Sequence, residues 1–244
     1  MRSAKLMKGN VFITGADRGL GFALAKKFLK EGYIVYAGSY LTDWHELPGL
    51  KQENPDKLHV INLDISDDES VLQAAETLGK HTDKLDILIN NAGIFLFKYS
   101  GTIFEEQNYD DMIRMYNVNA LGPMRVTKAL LPFILRGDKK IIACVSSEAG
   151  SVGACWRVKD YGYSMSKSAL NMQCAILQNH MKEYGVKVLA LHPGWVRSYM
   201  SGVLNTEAEV EPDDSADGLY KVIHENTDIN GPMYIDYQGK LLPW

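Results

Sequence analysis

The chain has 244 residues, 46% hydrophobic and 23% charged, with a formal net charge of −4. That is enough apolar material for a substantial core, and the acidic balance argues against a general nucleic-acid or anionic-membrane surface. No apolar run approaches the ~20 residues that span a bilayer, and Cys144, Cys155 and Cys174 show no CxxC spacing. A soluble protein of a reducing compartment, the cytoplasm, is the expectation, with the basic cluster at positions 2–8 a solvated end.

Residues 10–13 form a short apolar run that stops at a turn holding Gly15, Gly19 and Gly21, with Asp17, Arg18 and Leu20 between them. Leu20, Leu24, Ala25 and Phe28 then repeat at helical spacing until Gly32, a residue suited to the left-handed C′ position. Strand, glycine turn and helix together make a cradle for a pyrophosphate: backbone amides approach closely and the helix N-terminus carries partial positive charge. The spacing is T-G-x-x-x-G-x-G rather than G-x-G-x-x-G.

The next strand, 33–37, runs into Gly38-Ser39-Tyr40. A carboxylate at this strand end would grip an adenosine ribose 2′-hydroxyl and repel a 2′-phosphate. Neither Asp nor Glu stands there, and Arg18 lies just ahead of Gly19, so the cofactor expectation is NADP(H) over NAD(H). Positions 42–54 carry a short irregular helix interrupted at Pro48-Gly49. A strand over 57–63 ends at Asp64-Ile65, and Ser66-Asp-Asp-Glu69 has the capping-box spacing that opens a helix through Leu78.

Another strand, 85–89, precedes Asn90-Asn91-Ala92-Gly93, which reads either as a loop supporting a cofactor or as turn chemistry. A long helical region over 109–135 is interrupted by Asn117, Asn119 and Gly122, as at a kink or a site. A strand over 139–145 ends in Ser146-Ser147. The helix of Tyr163 and Lys167 follows and ends at Gly185; then come a strand over 187–191, His192-Pro193-Gly194, a helix with Pro212 in its first turn, and a last strand over 233–236. Strands alternating with helices predict an α/β fold: one doubly wound domain over 1–244 with helices on both faces of a mostly parallel, seven-stranded sheet.

Tyr163 and Lys167 are four apart, on one helix face. A free phenol titrates near pH ~10, and a neighbouring ammonium favours the phenolate. With thirteen tyrosines in the chain, one such pair is expected by chance, so the pair gains meaning only from the other stretches.

Taken in order, the glycine turn, Asn90-Asn91-Ala92-Gly93, the serine strand and Tyr163-x-x-x-Lys167 resemble the one-domain short-chain dehydrogenase/reductases. Tyr161-Gly-Tyr-Ser-Met-Ser-Lys167 and His192-Pro-Gly-Trp-Val-Arg197 are similar to the C-factor and sniffer-like carbonyl reductase branch. The resemblance implies an Asn119–Ser147–Tyr163–Lys167 active site. Tyr163 would protonate a carbonyl oxygen, Ser147 would hydrogen-bond it, Lys167 would bind the nicotinamide ribose and lower the tyrosine pKa, and Asn119 would fix a water. It also implies cofactor contacts from Gly15, Asp17, Arg18, Gly19, Leu20, Gly21, Ser39, Tyr40, Asp64, Ile65, Asn91, Ala92, Gly93, Pro193, Gly194, Val196 and Ser198, besides Tyr163 and Lys167. No metal is implied. A short substrate lid around 198–212, an open pocket, and a homodimer or homotetramer complete the picture.

Ser147 lies sixteen residues before Tyr163, which leaves Ser146 as the alternative hydroxyl. The functional expectation is reduction of a small-molecule ketone or aldehyde, or the reverse. A dinucleotide-binding regulator without chemistry is the competing one, and a sugar-nucleotide epimerase is disfavoured by the missing substrate domain.

Overall fold

The sheet is wholly parallel in the computed structural model, which describes residues 8–41, 44–98, 100–231 and 233–244. Its strands are β1 (Asn10–Thr14), β2 (Ile34–Ser39), β3 (Leu58–Asn62), β4 (Ile87–Asn90), β5 (Ile141–Val145), β6 (Lys187–His192) and β7 (Tyr234–Asp236), in the order β3-β2-β1-β4-β5-β6-β7. Strands buried on both faces read as continuous apolar runs rather than alternating ones. In β1, Val11 and Ile13 enter one core while Phe12 enters the other.

One face is covered by α1 (Gly19–Glu31), α2 (Glu46–Glu53) and α7 (Pro212–Glu225). The other carries α3 (Asp68–Gly79), α5 (Gly122–Arg136) and α6 (Tyr161–Met181). The long helical region is broken as its composition predicts. Tyr109–Tyr116, here α4, passes into α5 through one π-helical turn at Asn117–Leu121. Gly32 ends α1 in the left-handed region, at φ 99°.

The cap of α3 differs from expectation. Asp67, not Ser66, accepts the Ser70 amide at 2.6 Å, while the Ser66 hydroxyl turns back to Asp64 at 2.6 Å. Of the basic cluster at positions 2–8, all but Lys8 lies outside the described residues, as do the first residues of the 42–54 stretch. Lys8 pairs with Glu31 at 3.1 Å.

Strand order reverses between β1 and β4, and ligands of such sheets bind at that point, beyond the strands' carboxyl ends. Gly15, Asp64, Asn91, Ser147 and Pro193 each lie just past the end of a strand. Topology alone therefore gathers the predicted residues along one edge.

Candidate active site

A cleft of about 1210 Å³ opens along this edge, larger than the ~300–1,000 Å³ of ordinary ligand pockets. Its glycine-turn end is built from backbone. Gly15 and Gly19 sit at φ 62° and 55°, the left-handed region that glycine adopts without strain. At Gly21 an added Cβ would lie 2.0 Å from the Gly15 carbonyl oxygen, so the helix can approach its strand only without a side chain there. Arg18 occupies the N-cap of α1 without capping it, and the first turn holds no acid. The earliest helical bond runs from the Phe22 amide to the Arg18 carbonyl at 3.3 Å, so the amides ahead of it have no helical acceptor. An uncapped helix end behind a glycine cradle fits the pyrophosphate of a dinucleotide.

Side chains brace this cradle. The Thr14 hydroxyl accepts the amides of Asn91 and Ala92, both at 2.9 Å, and the Asn91 amide group donates to the Thr14 and Gly15 carbonyls at 2.9 and 3.1 Å. Asp17 accepts the Tyr40 and Leu41 amides at 3.2 and 2.9 Å. A carboxylate thus does reach the end of β2, supplied by the glycine turn rather than by the strand. Arg18 donates to the Tyr199 carbonyl at 3.2 Å, with its guanidinium 5.1 Å from the Trp44 ring.

The opposite end is built from side chains. Tyr163, Lys167 and Ser147 all line the cleft. Lys167 Nζ lies 5.7 Å from the centre of the Tyr163 ring and donates to the Val145 carbonyl at 2.9 Å. Burial pushes the Lys167 ammonium down to about 8. Burial also raises the Tyr163 phenol to about 12, against the opposing effect of its hydrogen bond with Ser147. The expected lowering of the phenol by Lys167 is therefore not what this cleft displays. Desolvation is the largest influence on the phenol, and the ammonium is turned to a carbonyl.

Ser146 Oγ is committed to Asn171 Oδ1 at 2.6 Å in the core, whereas Ser147 Oγ accepts the Ala149 amide at 3.2 Å and stands by the phenol. Asn119 is fully buried. Its Oδ1 accepts the Ile94 amide at 2.8 Å, and its Nδ2 donates to the Ile94 carbonyl and Ser166 Oγ at 2.9 and 3.0 Å. These bonds use both ends of the side-chain amide. Asn119 thereby pins the segment after Gly93 beside Lys167, where a Cβ on Gly93 would come within 3.2 Å of Asn119 Oδ1 and 3.7 Å of Lys167 Nζ.

Residues 9–209 match the family described as short chain dehydrogenase. This chain is a short-chain dehydrogenase/reductase. It is 31% identical over 255 residues to an uncharacterized oxidoreductase of Schizosaccharomyces pombe, covering 96% of this chain and 97% of that one. It is 38% identical over 164 residues to the C-signal protein of Myxococcus xanthus, covering 67% of this chain and 95% of that one. Among solved structures it resembles an NADPH-bound carbonyl reductase from chicken fatty liver, with a TM-score of 0.87 and 29% identity over 98% of this chain and 100% of that one. The chain is accordingly an oxidoreductase built for a nicotinamide dinucleotide.

Within this dehydrogenase the cleft wall also takes in Gly15, Asp17, Arg18, Gly19, Leu20, Gly21, Tyr40, Asp64, Ile65, Asn91, Ala92, Gly93, Pro193, Gly194, Val196 and Ser198. Of the residues expected to touch a cofactor, Ser39 does not face the cleft: the side chain is buried and donates to the Leu41 carbonyl at 3.1 Å. Two features of the wall escape a sequence reading. Arg157 forms a two-pronged pair with Glu148, at 2.7 and 2.5 Å, and holds that carboxyl below its usual range. The Phe95 ring packs 5.0 Å from that of Tyr163. Neither follows a spacing rule: the first pair lies within the β5–α6 connection, and the second joins the segment after β4 to α6.

Proposed function

We propose that this dehydrogenase reduces a ketone or aldehyde to an alcohol, or runs the reverse, with NADP(H) preferred over NAD(H). The observation that carries the reading is the convergence of Ser147, Tyr163 and Lys167 on the same cleft as an uncapped helix end and its glycine cradle. The dinucleotide would supply or accept the hydride, held by the Gly15–Gly21 turn, Asn91 to Gly93 and the stretch from Pro193 to Ser198.

The rest of the chemistry falls to the chain. A phenol raised to about 12 is protonated at neutral pH, the form needed to donate a proton to a carbonyl oxygen. Ser147 Oγ lies beside that phenol and can hydrogen-bond the same oxygen as it gains negative charge. Lys167, at about 8, keeps mostly its charged form at pH 7 and offers it to a ribose hydroxyl and to the developing phenolate. Arg18 supports the NADP(H) preference as a cation at the adenosine end, and the chicken carbonyl reductase it resembles was solved with NADPH. The Asp17 carboxylate there is engaged by two backbone amides, which leaves it fewer lone pairs for a ribose hydroxyl.

The stretch over 198–212 serves as the lid in this reading, tied at its base by the Arg197 amide to the Val210 carbonyl at 2.9 Å. Assembly as a cytoplasmic homodimer or homotetramer is supported by an exposed apolar stripe of Met165, Met172 and Ile176 along α6, beside Ile113 and Tyr116 of α4.

The deciding experiment titrates NADPH and NADH into the protein and follows oxidation of each with a panel of aldehydes, ketones and diones. Turnover with NADPH at lower concentration than NADH is the expected result. Tight NADPH binding with no turnover on any carbonyl would make the protein a dinucleotide-binding regulator instead.

A further inference from the structure

Beyond β7 the chain doubles back and lays its last residues against the loop that follows Ser147. Ile235 bridges Leu241 in antiparallel fashion, the Leu242 amide donates to the Tyr234 carbonyl at 2.9 Å, and the Trp244 ring stacks on the Tyr234 ring at 5.2 Å and 26°. The Pro243 carbonyl accepts Ser151 Oγ at 2.7 Å, and the Trp244 carbonyl accepts the Gly153 amide at 2.6 Å. Tyr234 is 3% exposed, and its hydroxyl donates to the Ser147 carbonyl at 2.5 Å. That carbonyl also accepts the Gly150 amide at 2.9 Å, so both its lone pairs are used.

A carbonyl held by two donors cannot rotate freely, which fixes the backbone that carries the Ser147 side chain. From the other side the short turn Glu148–Gly150 is seated on α6: Ser168 Oγ donates to the Gly150 carbonyl at 3.1 Å, and a Cβ on Gly150 would meet the Lys167 backbone at 2.8 Å. Ser147 therefore sits between the helix that bears Tyr163 and the β7–tail element.

We propose that Tyr234 is a positioning residue for the carbonyl chemistry: its hydroxyl, backed by the Trp244 ring, fixes Ser147 so that the serine hydroxyl faces Tyr163. The inference rests on the reading of Ser147 and Tyr163 given above. Because the Ser147 hydrogen bond opposes the burial that raises the phenol, a loosened Ser147 leaves the phenol still harder to ionise.

The test compares wild type with Tyr234→Phe, Trp244→Ala and Trp244→Phe, using NADPH and 4-nitrobenzaldehyde, or the best carbonyl of the panel, and the matching alcohol with NADP⁺. Tyr234→Phe should lower kcat about ten-fold, the scale of one oriented hydrogen bond, with KM and NADPH affinity unchanged. The rise of alcohol oxidation with pH should shift upward by about half a unit. Hydrogen exchange, which needs no turnover, should speed up at the Ala149 and Gly150 amides and not within α6. Trp244→Ala should reproduce part of this, and Trp244→Phe, which keeps a stacking ring, should restore it.

An unshifted pH profile with a kcat loss equal to the loss of folded protein overturns the proposal, as does unchanged exchange at 149–150. Absence of turnover in wild type fails the parent reading instead, and leaves the exchange measurement to judge the clamp alone.

Discussion

The two ends of the cleft are made of different material. At the glycine-turn end the groups offered to a ligand are backbone amides, and what matters there is the space that Gly15, Gly19 and Gly21 leave open. At the proposed catalytic end the groups are a hydroxyl, a phenol and an ammonium, the hydroxyl held by the Ala149 amide and the ammonium by the Val145 carbonyl. The first end is limited by added bulk at its glycines, while the second depends on single polar atoms. Binding and chemistry should therefore fail separately.

The strongest way to break this contrast is Tyr163→Phe, which removes one oxygen from the catalytic end. We expect kcat to fall by about 10²–10⁴-fold, the range for losing a general acid, with NADPH affinity, read by fluorescence titration, changed by less than about two-fold. Wild-type turnover in this variant removes Tyr163 from the mechanism. A large loss of NADPH binding would mean that the two ends are not separable.

Gly21→Ala is the mirror experiment. An added Cβ at 2.0 Å from the Gly15 oxygen and 2.5 Å from Asn91 Nδ2 must displace backbone, which costs about 1–3 kcal/mol of stability. Urea melts should register that cost, and NADPH affinity should fall with it. Residual protein saturated with cofactor should keep much of its kcat. A variant that melts and binds as wild type would show that the close packing of α1 on β1 is not what the cradle depends on.

How much of this was legible beforehand follows from the same division. The glycine turn, the apolar strands and the Pro212 helix start are local patterns, and each lay where its residues placed it. The π turn was visible as trouble, since Asn117, Asn119 and Gly122 interrupt an apolar helix, but not as the device that buries Asn119 against Ile94 and Ser166. Asp17 reached the end of β2 from 22 positions away, which a search of that strand end alone could not find. Ser66 against Asp67 was a contest between two adjacent caps, settled by Asp64 taking the Ser66 hydroxyl. Tyr234 looked like one more apolar strand residue. Its contact with Ser147 spans 87 positions, and no spacing rule reaches that far.

The electrostatics of Lys167 offer a smaller effect that sharpens the comparison. Its folded pKa is depressed from 10.5 to about 8, so between those values the unfolded chain binds a proton that the folded one does not. Stability must then rise with pH across this window and fall as pH drops through about 8. Between pH 8 and 9.5 the gain is about 1.5 kcal/mol. The difference in urea-melt stability between wild type and Lys167→Met should change by that amount and in that sense, while Tyr163, raised to about 12, opposes it only above pH 10. A difference that is flat with pH would mean that Lys167 keeps its ordinary pKa when buried.

Arg18→Ala should give the smallest effect and asks what this cation at the backbone end contributes. The guanidinium lies partly exposed between the Trp44 and Tyr199 rings, 5.1 and 5.8 Å from their centres. A charge-assisted bond to a phosphate is strong when dry, but solvent and salt weaken it at an open site. We expect NADPH affinity to fall about five-fold and NADH affinity to change little, with the gap narrowing as salt rises from 50 to 500 mM, about where screening becomes short-ranged. Equal weakening of both cofactors would mean that Arg18 acts through its bond to the Tyr199 carbonyl, holding the lid's first residues rather than reading a phosphate. The proposed preference for NADP(H) would then need another source in the loop after β2.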